Sequence, residues 1–259
     1  RLDTDRRWQP QGHLHGYEAV NNAELRICSE DVLNDNNPNY LELKTESENS
    51  GVRNKGFLEG MSLVKGEEYR FSVYVKSDSY KGKIQINLED RNHTCIGSGY
   101  IEEVESSWSK REIILKAEET VEKGSLSIVI EEAGTIDMDM ISLFPVNTYK
   151  NRKNGLRADM VKLLEELQPS FIRFPGGCIV EGNPLDNAYC WKDTVGDVAQ
   201  RKQNENLWIG TKDYPYYQTY GIGFFEYFLL CEDLGAKAVP IVNCGMSCQA
   251  RADGQTNTL

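Results

Sequence analysis

An antiparallel β-sandwich of jelly-roll type followed by parallel α/β units is the fold class that the sequence predicts, and three observations carry it. Between residues 40 and 143 apolar and polar residues alternate in short runs separated by Gly-containing turns, with no helical period among them. From residue 154 onward the texture changes to apolar residues at helical spacing, each set followed by a short apolar strand. The strand Ser170-Phe171-Ile172-Arg173-Phe174 then runs directly into Pro175-Gly176-Gly177, where the missing N–H and the two glycines must end it. In alternating α/β chains the carboxyl ends of strands are where ligands bind.

Residues 1–38 are polar, with Trp8, His13, His15 and Tyr17 among them and Asp35-Asn36-Asn37-Pro38 at the end, and are expected to be a connecting segment. His13 and His15 at i and i+2 would meet a metal only from a strand; a solvated loop is the better account. Strands are predicted at Tyr40–Lys44, Tyr69–Val75, Lys83–Leu88, Arg111–Leu115, Ser125–Ile130 and Ile136–Leu143, with turns at Lys65-Gly66-Glu67, Tyr80-Lys81-Gly82 and Lys123-Gly124. Tyr74, Tyr100 and Trp108, with Gln85, Asn87 and Arg91, could stack on and hydrogen-bond a sugar, although aromatics at alternate strand positions are more often core. Asp137 and Asp139 supply two carboxylates, too few for a calcium site.

Pro145 to Lys153 is the crossing to the second part. Leu156, Met160, Leu163, Leu164 and Leu167 form the stripe of an amphipathic helix, ended by Gln168-Pro169. Phe224, Tyr227, Phe228, Cys231 and Leu234 mark a second helix closed by Gly235, and Ala238–Asn243 a further strand. Helix, strand, long loop, helix, strand is the rhythm of right-handed parallel βαβ units. Arg173, among Phe171, Ile172 and Phe174, is costly to bury unless a structural acid or a polar ligand satisfies its guanidinium; the two readings stand level.

Composition narrows the function. Forty acidic against 29 basic residues give a net charge of −11, with no basic stripe, so nucleic acid and anionic lipid surfaces are expected to be repelled. No apolar run reaches the length of a membrane span. The first residues have no apolar targeting core and no initiator methionine, so the start reads as internal. Seven cysteines, an odd number without paired spacing, suit free thiols. Cys244 and Cys248 could form half of a metal clip, but the sequence offers no second pair, and no metal and no cofactor are expected. Compartment is left open.

The block Arg173-Phe174-Pro175-Gly176-Gly177-Cys178-Ile179-Val180-Glu181-Gly182-Asn183, then Tyr189-Cys190-Trp191-Lys192-Asp193-Thr194-Val195-Gly196, Asn206-Leu207-Trp208, Tyr220-Gly221-Ile222-Gly223-Phe224-Phe225-Glu226-Tyr227 and Val239-Pro240-Ile241-Val242-Asn243-Cys244-Gly245-Met246 in that order resemble the α-L-arabinofuranosidases of glycoside hydrolase family 51. The resemblance runs from about Phe144 to the end. Residues from about Asn39 to Leu143 look like the carbohydrate-binding-type, galactose-binding-like β-sandwich of one branch of that family.

It implies a connecting segment (1–38), a β-sandwich (39–145) and a partial (β/α)8, TIM-type barrel (146–259) with two of its eight strands. Carried over residue by residue, it implies that Arg173, Cys178, Trp191 and Asn243 help bind substrate, with Cys178 standing where many members have asparagine. The implied substrate is an arabinose-containing oligo- or polysaccharide, and the unpaired strand edges call for a second chain or further barrel sequence. The retaining mechanism needs two carboxylates about 5 Å apart. In the family these are glutamates on later strands, so no residue here is assigned as catalytic. Asn204-Glu205, the one Asn-Glu pair, is expected in a loop. Rival readings are a non-catalytic carbohydrate-binding protein and, more weakly, an anion cradle at Pro175-Gly176-Gly177, which lacks a following Lys or Ser/Thr.

Overall fold

The computed structural model describes residues 14, 16–56, 60–182, 185–206 and 217–248. His13, His15, Trp8, Asn183 and Trp208 lie outside them. The chain divides into two compact units, one over residues 14–159 and one over residues 160–248 of those described.

The first unit is a sandwich of two antiparallel sheets. One has the order β1 (Tyr17–Val20), β4 (Ser50–Asn54), β10 (Val121–Ile130), β7 (Ile84–Glu89), β8 (Cys95–Ile101), with β5 (Met61–Leu63) also on β10. The other runs β2 (Glu24–Cys28), β3 (Tyr40–Thr45), β11 (Gly134–Pro145), β6 (Glu68–Lys76), β9 (Ser109–Lys116). All strands predicted from alternation are present. The stretch read as a connecting segment contributes β1 and β2, which pair with β4 and β3 and lay Tyr17, Leu25 and Ile27 against the core.

Period-two alternation puts Leu41, Leu43, Phe71, Val73, Val75, Leu115, Ile136 and Met138 on one inner face. Val52, Ile84, Ile86, Leu88, Leu126, Ile128 and Ile130 line the other, all within one core cluster. Each fully buried side chain of this size contributes about 1.5–3 kcal/mol. The aromatics proposed from sequence do not converge: Tyr100 pairs with Gln85 across β7 and β8, whereas Tyr74 lies on β6 in the opposite sheet. Trp108 packs edge-on against Tyr40 at 5.3 Å and forms with it a cage around the Lys76 ammonium. Asp137 faces Lys76 on β6, and Asp139 accepts a 2.6 Å hydrogen bond from Asn37, so the two carboxylates serve separate contacts.

The second unit is α/β. Helix α1 (Ala158–Leu167) precedes β12 (Phe171–Phe174), which pairs in parallel with β15 (Lys237–Pro240). Between these strands come the single turn α2 (Cys178–Glu181), a small antiparallel pair of β13 (Asn204–Glu205) and β14 (Tyr217–Gln218), and helix α3 (Phe224–Leu234). Asn204-Glu205, expected in a loop, is therefore held in a two-residue strand. Gly223 opens α3 where any Cβ would come within 1.9 Å of the Thr194 carbonyl oxygen, and Gly235 ends it in the left-handed region at φ 64°. One face of the parallel pair, Ile172, Phe174 and Ala238, packs in a core with Phe224, Tyr227 and Cys231 of α3. The other face, with Phe171 58% exposed and Val239 37% exposed, is open, as is the leucine stripe of α1, where Leu167 is 75% exposed.

Candidate functional site

The alternation of β12 decides the environment of Arg173. Ile172 and Phe174 turn toward α3, so Phe171 and Arg173 turn the other way, and Arg173 is exposed. The desolvation cost expected for a buried guanidinium does not arise, because Arg173 stands on the open face beside exposed Phe171 and opposite buried Phe174. Its Nη2 lies 3.7 Å from where a Cβ of Gly177 would stand, an ordinary contact distance, so the side chain lies alongside the glycine turn.

After the cis Phe174–Pro175 bond the chain enters α2, whose first residue is Cys178. Cys178 and Glu181 stand at i and i+3 on this turn, and Cys248 reaches them from beyond β15. The two Sγ atoms and a Glu181 carboxylate oxygen all lie within 4.8 Å of one another. Cys178 and Glu181 are half-buried and Cys248 is buried. Burial pushes the Cys248 thiol up from its ordinary range, and Cys178 and Glu181 push in the same direction. The Cys248 N–H donates to the Gly182 carbonyl at 3.0 Å, which pins the segment to the end of α2.

Asn243 sits just after β15. Its Nδ2 donates to the carbonyls of Val180 at 2.6 Å and Glu181 at 3.3 Å, and its Oδ1 accepts from the N–H groups of Gly245 at 2.5 Å and Met246 at 3.0 Å. The amide thereby braces the turn 243–248 against α2. Trp191 is 44% exposed and its ring stacks on Phe224 at 6.1 Å.

Trp191 and Asn243 line one cleft of about 800 Å³ together with Asp186, Tyr189, Lys202 and Asn204. Arg173 and Cys178 are not among its lining residues. Arg201, next in sequence to the lining residue Lys202, is 3% exposed and holds Glu226 through both guanidinium amines at 3.0 and 2.7 Å while donating to the carbonyls of Gly196 and Tyr220. Burial would raise the Glu226 carboxyl, but Arg201 and the Gly223 N–H hold it below the usual carboxylate range. Sequence reading did not find this pair, since Arg201 and Glu226 stand in loop and helix with no shared pattern. It also missed the meeting of Cys248 with Cys178; the Cys-x-x-Glu spacing of α2 was the one available signal.

Residues 163–258 match the family model described as the alpha-L-arabinofuranosidase 1 domain. An extracellular exo-alpha-L-arabinofuranosidase of Streptomyces chartreusis is 36% identical over 221 residues, 81% of this chain and 25% of that protein. Alpha-L-arabinofuranosidase 1 of Arabidopsis thaliana is 33% identical over 201 residues, 76% of this chain and 28% of that protein. The solved structure of an arabinose-bound family 51 α-L-arabinofuranosidase superposes with a TM-score of 0.82 and 28% identity, covering 94% of this chain and 39% of the other. The chain thus spans between a quarter and two-fifths of the length of these relatives.

Proposed function

We propose a function from that kinship: the chain is a relative of the α-L-arabinofuranosidases of glycoside hydrolase family 51, and it is part of a retaining enzyme that removes terminal α-L-arabinofuranosyl residues from arabinan or arabinoxylan. The superposition of 94% of the chain on an arabinose-bound family member, at a TM-score of 0.82, carries this reading. On it, the β-sandwich and the α/β unit are two domains, with the division near residue 145, and the α/β unit is a segment of a TIM-type barrel. The open face of β12 and β15, which carries Phe171, Arg173 and Val239, is then the barrel interior, and the face under α3 is the outer layer. The exposed apolar stripe of α1 and the unpaired strand edges are covered by further barrel sequence.

Arg173 then stands at the pocket floor. A permanently charged, planar guanidinium can orient carboxylates and donate to sugar hydroxyls without a change of protonation. Cys178 at the strand end contacts the furanose ring, Trp191 walls the subsite with an apolar surface for the sugar C–H face, and Asn243 holds the loop behind them. The acid/base and nucleophile are two carboxylates on other strands of the enzyme, which split the displacement into formation and hydrolysis of a glycosyl-enzyme.

The 259-residue chain on its own is therefore expected not to turn over an aryl α-L-arabinofuranoside; robust hydrolysis would overturn the reading. Within an enzyme that contains the chain, Arg173→Ala is expected to lower kcat/KM by about a hundredfold, the scale of losing one charge-stabilising donor. A non-catalytic carbohydrate-binding role is the second reading, favoured by the sandwich fold alone. It requires binding of arabinoxylan oligosaccharides that survives Arg173→Ala.

A further inference from the structure

The thiols of Cys178 and Cys248 and the carboxylate of Glu181 are three metal-ligating groups from two segments, and the fold gathers them at one point. Their support is built from backbone. Glu181 and Cys178 share one helical turn, which ends at Gly182 with φ 72°. The Gly182 carbonyl receives the Cys248 N–H, and the Asn243 amide straps the intervening turn to the carbonyls of Val180 and Glu181. Ligands held on a braced scaffold lose little freedom when an ion arrives.

We propose that Cys178, Glu181 and Cys248 form a binding site for a single thiophilic divalent cation, with Zn²⁺ as the type. Two sulfurs at metal–sulfur distances of about 2.3 Å in tetrahedral geometry lie about 3.8 Å apart. The donor atoms here lie within 4.8 Å of one another, so the sulfurs need to close by at most about 1 Å, which side-chain rotation supplies. Binding forms two metal–sulfur bonds and one metal–oxygen bond, and each thiol that coordinates releases its proton to solvent. Two sulfur donors favour Zn²⁺ and Cd²⁺ over Mg²⁺ and Ca²⁺, which require oxygen ligands. Three protein ligands leave a fourth position for water, on the half-buried side where Cys178 and Glu181 lie. The ion would take the Cys178 thiol that the sugar-pocket reading gives to the furanose ring, so the ion is tested alone and without substrate, and its binding stands or falls apart from that reading.

The test titrates Cd²⁺ and Zn²⁺ into the intact 259-residue chain under a non-chelating reductant, with calorimetry for stoichiometry and the ultraviolet thiolate-to-Cd²⁺ charge-transfer band for ligand identity. One equivalent is expected, resistant to excess Mg²⁺ and Ca²⁺. Cys248→Ser and Cys178→Ser should each weaken binding by at least about tenfold, the loss that follows removal of even an outer-sphere partner. Glu181→Gln, which keeps both thiols, should weaken binding but retain the band and guards against misfolding of the cysteine variants. Cys244→Ser, four residues from Cys248 and outside the cluster, should change nothing. Absence of the band, or binding that persists in the Cys178→Ser/Cys248→Ser double variant, would overturn the proposal. So would a reduced chain that takes up no ion while the aerated one is lighter by two hydrogens, since the pair would then be a disulfide couple.

Discussion

The sandwich and the α/β unit handle apolar surface in opposite ways. In the sandwich, Leu41, Leu43, Phe71, Leu115, Ile130 and Ile136 are fully buried, because each sheet offers one apolar face and the two faces satisfy one another. In the α/β unit the parallel pair is covered on one face by α3, while Phe171, Phe225, Leu163 and Leu167 stay 58%, 59%, 62% and 75% exposed. Parallel strands are ordinarily covered on both faces, so among the described residues this unit carries apolar surface that its own elements leave open. The two units can be told apart by where their large side chains sit.

The largest expected effect tests that contrast directly. Phe71→Ala, in the middle of the sandwich core, should cost about 3–5 kcal/mol in denaturant unfolding, whereas Phe171→Ala on the open strand face should change stability by less than about 0.5 kcal/mol. Equal losses would mean that the open face has a partner in solution. Next comes the polar anchor of the α/β unit. Arg201→Ala leaves Glu226 without its charge partner beside Gly223 and should destabilise that unit by about 3 kcal/mol. Hydrogen exchange should show the loss in α3 and not in the sandwich strands; protection lost equally in both would mean the units unfold as one.

The smallest effect sharpens the sandwich side. Burial pushes the Asp137 carboxyl up to about 6 from its ordinary 3.8, despite the pull of Lys76. The folded state thus holds the proton more tightly than the unfolded one, and the stabilisation it brings is present below 3.8 and lost as pH rises through about 6. Asp137→Asn, neutral throughout, should therefore gain about 1 kcal/mol above neutrality after allowance for solvent screening, and nothing in acid. A gain that is flat with pH, read from melting curves, would show that the carboxylate is not the cause.

The sequence by itself determined strands β3, β6, β7, β9, β10 and β11 of the sandwich though not β4, β5 and β8, together with both long helices of the α/β unit and the turn at Pro175-Gly176-Gly177. Alternation, helical spacing and Pro/Gly chemistry are local and need no partner to be read. It also carried the family resemblance, which rests on linked motifs in order. Tertiary structure alone decided that Tyr17–Val20 and Glu24–Cys28 are edge strands, that Arg173 faces away from Ile172 and Phe174, and that Cys248 meets Cys178 and Glu181. Those outcomes depend on which face of a strand is covered and on which distant segments return to it. Such long-range pairings leave no periodic trace in the chain.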